Sequence, residues 1–166
     1  MRELDRDGRR LCIIQAELFE QSIKKLNMSS EVFVRRFMNS NIVCELDNSS
    51  FLEDSKTIDD IFDSLNKQYG ELNYGSVKYH RDVMYWAGYL YRQFSYTYKI
   101  SSKQAYKMLP LKYVASTFEP YHTLDISQAI ERLLESKNIS FNDEDMVKKG
   151  VVILRNIRKA SFTNKY

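Results

Sequence analysis

The chain has 166 residues, 43% of them hydrophobic and 28% charged, with a formal net charge of +3. A chain of this length buries roughly 70% of its unfolded surface, so neither a disulfide framework nor a structural metal is required. The nearly balanced charge excludes an obvious nucleic-acid or membrane-binding surface, and no stretch approaches the roughly 20 apolar residues of a membrane span.

The opening stretch MRELDRDGRRLCIIQ lacks a basic region followed by an uninterrupted apolar run, so a cytoplasmic location is expected. Cys12 and Cys44 share no close ligand-type spacing with each other or with the two histidines, which points to reduced core thiols and to no metal or cofactor. Five glycines and two prolines supply few hairpin turns, and the apolar residues fall mainly at helical spacing. The fold class read from this is all-α.

The first long helix is predicted from Asp5 to Leu26, where Cys12, Ala16, Phe19, Ile23 and Leu26 form a stripe at spacings of three and four. Ser29 caps a second helix with Val32, Phe33, Phe37 and Met38 inward. A polar stretch follows from Cys44 to Lys56, and a short helix begins near Thr57 with Ile58, Ile61, Phe62 and Leu65 apolar. Glu53-Asp54 and Asp59-Asp60 read as acidic helix starts favoured by the macrodipole rather than as catalytic carboxylates.

Gly70 and Gly75, among polar residues from Gln68 to Tyr79, mark the clearest internal boundary. After it comes the aromatic helix RDVMYWAGYLYRQFSYTYK, with His80 just ahead of it and Val83, Ala87, Leu90 and Phe94 as its main stripe. Ser101 with Gln104 makes a capping-box signature, Pro110 stops or kinks the helix that follows, and Asp125 with Gln128 repeats the capping logic before ISQAIERLLES. The segment from 140 to 166 carries Lys148, Lys149, Arg155 and Arg158 beside Val147, Val151, Leu154 and Ile157, the pattern of a basic C-terminal helix or arm. GVVIL within it also fits a strand, although no partner strand is evident.

The segment from Cys12 to Leu65 can be laid over that from Met84 to Leu133. Leu18 then falls on Leu90, Phe19 on Tyr91, Ser29-Ser30 on Ser101-Ser102, Ile58 on Ile126 and Leu65 on Leu133. The order recurs: long helix, Ser-Ser cap, shorter helix, polar corner, short helix. The expected organisation is a first helical repeat over 1–70, a second over 71–139 and the basic segment 140–166, in one compact domain overall.

His122 falls opposite Asp54 in this alignment. A polar group at a helix entrance recurs in kind because orphan amides need partners, so Tyr121, His122, Thr123 and Asp125 are read as a structural corner, with His122 bonding the chain before Asp125.

Tyrosines occur on nearly every azimuth of the aromatic helix, so one face cannot bury all of them. Tyr85, Tyr89, Arg92 and Tyr96 are taken as its outward stripe and, with Arg155 and Arg158, as candidate partner-binding residues, since tyrosine and arginine are favoured interface anchors. No Gly-rich phosphate loop, HExxH or G-x-S-x-G is present, so no catalytic residue is assigned. An enzyme would have to use His122. A helix-turn-helix reading through Ser29-Ser30 or Ser101-Ser102, with Arg35 and Arg36 as its best base-reading side chains, makes DNA binding the alternative.

Residues 84 to 134, through Ser101, Ala105, Tyr121, His122, Thr123, Ala129 and Ile130, resemble a family of small helical bacterial proteins of unknown function encoded beside toxins that look like ADP-ribosyltransferases. The resemblance implies an antitoxin or accessory protein whose partner is a cognate toxin. It makes the first half a degenerate second copy, with Asp54 in place of the histidine, and it does not extend to residues 140–166.

Overall fold

The computed structural model describes residues 1–71 and 73–141, and all regular structure among them is helical. The chain is therefore all-α. The expected basic segment, including Arg155, Arg158 and GVVIL, lies outside the described residues.

Helix α1 (Arg6–Lys25) starts where the Asp5 carboxylate accepts the Gly8 amide, and it ends at Leu26, whose N–H donates to the Ser22 carbonyl. At 20 residues it is about 30 Å long. Leu11, Cys12, Gln15, Ala16, Leu18 and Phe19 form its buried face. Ser29 caps α2 (Ser30–Met38) as its position predicts, with Val32, Phe33, Phe37 and Met38 buried. Phe19 meets the edges of Phe33 and Phe37 at 5.5 and 5.6 Å between ring centroids, and Phe33 packs beside Phe62. Burying one such ring contributes about 1.5–3 kcal/mol.

The stretch read as polar from Cys44 to Lys56 is partly helical. Helix α3 (Asn41–Asp47) is capped by Ser40, whose hydroxyl accepts the Val43 amide, and a 3-10 turn spans Ser50–Leu52. Ile42, Val43, Leu46 and Phe51 are buried there; seven helical residues are too few for a periodicity to stand out from flanking Asn, Asp and Ser. Helix α4 (Ile58–Tyr69) opens on a reciprocal capping box between Thr57 and Asp60 and buries Ile61, Phe62 and Leu65. Asp59 and Asp60 lie in its first turn, and the Thr57 amide and hydroxyl hold the Asp60 carboxyl below the ordinary range.

The linker after Gly70 runs over the corner between α1 and α2. Ser29 N–H donates to Tyr74 O and Ser30 N–H to Val77 O, both at 3.1 Å, while Tyr79 N–H donates to Ser30 Oγ. Lys78 Nζ donates to the carbonyls of Ile23 and Leu26, each at 2.6 Å. The amides that open α2 and the carbonyls that close α1 thus find their partners in the linker.

Helix α5 (Arg81–Tyr98) is buried at nearly every position from Met84 to Thr97 and packs along α1. A helix buried on all sides is the centre of its domain. Gly88 marks the close approach: a Cβ there would lie 2.6 Å from Gln15 O and 2.8 Å from Ala16 Cα. Helix α6 (Ser102–Met108) starts on the predicted Ser101–Gln104 capping box and stops before Pro110. Two short helices not foreseen, α7 (Leu111–Ser116) and α8 (Phe118–Tyr121), then lead to α9 (Ile126–Ser136). The Asp125 carboxylate accepts the Ser127 amide at the start of α9.

Residues Met1–Leu133 form one compact unit, and a second begins at Leu134. Within the described part of the second, Ile139 N–H donates to Leu134 O across Asn138, which is left-handed at φ 53°.

Candidate functional site

The largest fully buried side chain among the described residues is Arg92, on the aromatic-rich α5 and 1% exposed. A buried guanidinium must satisfy its donors inside the protein, and the structure supplies partners from three other helices. Nε donates to Gln15 Oε1 of α1 at 2.9 Å, one terminal nitrogen to Asp47 Oδ1 of α3 at 2.7 Å, and the other to Ser102 Oγ of α6 at 2.7 Å. Ser102 in turn donates its hydroxyl and its amide to the two Asp47 oxygens, at 2.6 and 3.0 Å. Gln15 Nε2 donates to Gly88 O. Each of the three guanidinium nitrogens is engaged and the charge is paired with Asp47, so the cluster ties α1, α3, α5 and α6 together rather than offering a free cation.

This corrects the expected outward stripe. Arg92 and Tyr96 are inside, Tyr96 at 5% exposure with its hydroxyl donating to the Asp5 carboxylate at 2.7 Å and its ring under the Arg2 guanidinium at 3.8 Å. Burial, and then the Asp5 hydrogen bond, push the Tyr96 hydroxyl up to about 12. The Gly8 amide, and next the Tyr96 hydroxyl, hold Asp5 below the ordinary carboxyl range. The stripe failed because α1 lies along it: Gly8 sits against the Tyr96 ring as Gln15 sits against Arg92.

What reaches solvent is the upper part of that stripe. Tyr85 is 37% exposed and Tyr89 half-buried; Glu17 and Glu20 of α1 act on the Tyr85 hydroxyl, and Cys12 and Arg9 on that of Tyr89. Burial is the leading cause that raises both hydroxyls. On α1 the exposed large apolar side chain is Ile13, at 42%, four residues from the exposed Arg9 and four from Glu17. Ile13, Glu17 and Glu20 share a face by helical spacing, and Arg81 at the start of α5 bonds Glu20 at 3.0 Å. The seam between the two central helices therefore presents Ile13, Tyr85 and Tyr89 within a border of Arg9, Glu17, Glu20 and Arg81.

The residues read as a corner lie at the junction of α8 and α9, and His122 does not make the expected bond to the chain before Asp125. His122 follows the last residue of α8, and its Nδ1 lies 3.0 Å from the carbonyls of Phe118 and Glu119 while its ring stacks on Phe118 at 4.7 Å. It closes the exit of α8, and Asp125 caps the entrance of α9 without it. Tyr121 is half-buried and Thr123 exposed. His80 caps α5, its ring nitrogen accepting the Asp82 amide at 3.3 Å. Of the two thiols read as core, Cys12 is buried and pushed up to about 12 by its burial, whereas Cys44 is exposed. Among the described residues no group of His, Cys, Asp and Glu could hold a metal ion.

Arg35 remains exposed on α2, but Arg36 is partly buried with its guanidinium over the Tyr69 ring at 5.1 Å. No protein-family model, no curated protein and no solved structure matches the chain.

Asp47 and Gln15 were not singled out from the sequence, and Ser102 was read only as the second serine of the Ser101-Ser102 cap. One signal pointed to them: Arg92 has no acidic residue three or four positions away on its own helix, so a buried Arg92 requires an acid from elsewhere in the chain.

Proposed function

We propose that the chain is a non-enzymatic protein-binding module of the cytoplasm, working as an antitoxin or accessory protein against a toxin encoded beside it. The observation that carries the reading is the α1–α5 seam, where Ile13, Tyr85 and Tyr89 stand out on two helices locked by a buried arginine cluster. Rigid aromatic side chains on a fixed backbone lose little entropy on binding, which is what an interface anchor needs. The mixed charges of Arg9, Glu17, Glu20 and Arg81 supply the polar rim of such a patch. The toxin as partner rests on the resemblance of residues 84–134 alone.

The two-repeat organisation belongs to the same proposal. Helices α1 to α4 have 20, 9, 7 and 12 residues, and α5, α6, α7 and α9 have 18, 7, 6 and 11. The register that lays Leu18 on Leu90 lays Ala16 on Gly88, and these two residues meet where α1 and α5 approach most closely. Two repeats related by a two-fold axis would meet at equivalent positions, so this contact supports the repeat reading.

The DNA-binding alternative draws less from the geometry, because Arg36 is already engaged by Tyr69.

The test is capture of bound protein and nucleic acid from the native host on the tagged chain, beside the double variant Ile13→Glu, Tyr85→Ala. The expected result is one stoichiometric protein, whose toxic activity the chain suppresses, with recovery reduced at least tenfold by the variant at unchanged melting temperature. A defined DNA fragment in place of a protein, or equal recovery by the variant, overturns the proposal.

A further inference from the structure

A cleft of about 350 Å³ opens beside the arginine cluster, at the C-terminal end of α5, lined by Arg2, Asp47, Ser95, Tyr96, Lys99 and Ser101 among others. That size is at the lower end of small-molecule sites. It lies apart from the seam assigned to a partner, on a part of the fold to which the proposed binding gives no role.

Three features of its wall are unusual together. Ser95 is 3% exposed, and its hydroxyl is buried with no hydrogen-bond partner among the described residues. Buried polar groups are nearly always paired, so an orphan hydroxyl at a cleft wall points to a partner supplied from outside. Lys99, the residue after α5, is left-handed at φ 55°, with its N–H and that of Ile100 both donating to Ser95 O. Glycine is the inexpensive residue at this kind of helix end; lysine carries the strain of the turn and cannot relieve it by a local side-chain bond as Asn or Asp does. Strain of this kind collects at ligand sites.

The charges decide the ligand class. Asp47 is paired with Arg92, and Asp5 with Arg2 at 3.2 Å, which leaves the exposed Lys99 ammonium as the cation of the cleft wall without an opposite number among the described residues. An ammonium, an unpaired hydroxyl donor and a guanidinium over the Tyr96 ring together suit an oxyanion. We propose that this cleft binds a small molecule bearing a carboxylate or phosphate group, held by the Lys99 ammonium and the Ser95 hydroxyl, with Arg2 at its edge.

The test is an amide NMR titration of the 15N-labelled full chain at low ionic strength, once with inorganic phosphate and once with succinate, so that the two oxyanion sources are read separately. Expected are saturable shifts confined to the residues around Ser95–Ser101, in the millimolar range or tighter, for at least one probe. Lys99→Gly keeps the left-handed turn and should weaken that binding at least tenfold; Lys99→Gln serves the same purpose if the glycine variant alters the turn. Ser95→Ala removes a hydroxyl with no internal partner and should weaken binding without loss of fold. Absence of saturation with both probes, shifts spread over surface lysines, or undiminished affinity in the Lys99 and Ser95 variants overturns the proposal.

Discussion

Asp47 shows how one side chain can hold several elements. It is the only carboxylate bonded to the Arg92 guanidinium among the described residues, and it also anchors Ser102 by two bonds. A buried ion pair contributes little net stability when complete, because desolvation offsets the attraction, but removing one partner leaves the other charge uncompensated. Asp47→Ala should therefore destabilise the protein by about 3–5 kcal/mol in chemical denaturation. Arg92→Met, which removes the buried charge together with its need for a partner, should cost clearly less. Equal losses in the two variants would mean that packing volume, and not the stranded charge, sets the energy.

At the scale of elements, the helices legible in the sequence were those with a long stripe or a strong cap. Helix α1 falls within one residue of its expected ends, and Ser29, Thr57 and Ser101 cap the helices they were expected to begin. Helices α3, α7 and α8, of 7, 6 and 4 residues, escaped because two turns or fewer carry too little periodicity. The azimuth of Tyr96 and Arg92 escaped for another reason: an amphipathic count fixes which residues share a face, and it is silent on whether a second helix covers that face.

The covering helix is detectable in one residue, Gly88, whose missing side chain is the space that α1 occupies. Because the atoms a Cβ would meet there are the Gln15 carbonyl oxygen and the Ala16 Cα, the clash is with backbone and cannot be relieved by a rotamer. Gly88→Ala should cost about 1–3 kcal/mol through overpacking, against the gain of up to about 1 kcal/mol that alanine gives in an open helix. A raised melting temperature in Gly88→Ala would show that α1 and α5 can separate at no cost and that the register across the seam is loose.

Across the whole unit, tyrosine hydroxyls tie distant stretches of chain to one another, among them Tyr96 to Asp5, Tyr79 to Glu31, and the fully buried Tyr91 to the Leu109 carbonyl at 2.5 Å. Burial is the first cause that raises each of them, to about 12 for Tyr79 and Tyr96 and well above the ordinary value for Tyr91. In an unfolded chain the same hydroxyls ionise near 10. The folded state thus holds the protons that the unfolded state releases first, so the stabilisation is complete below about pH 10 and is lost as the pH rises toward 12. Alkaline titration should show tyrosinate absorbance at 295 nm appearing in two stages. Solvent-exposed rings come first with the helical signal intact, and the buried set follows in one cooperative step as that signal collapses. Tyr96→Phe, which keeps the ring against Gly8 and drops the hydroxyl, should move the collapse to a different pH without altering the first stage. If all the tyrosines ionised together near 10 while the helices persisted, these hydroxyls would be open to solvent and the central place given to α5 would be wrong.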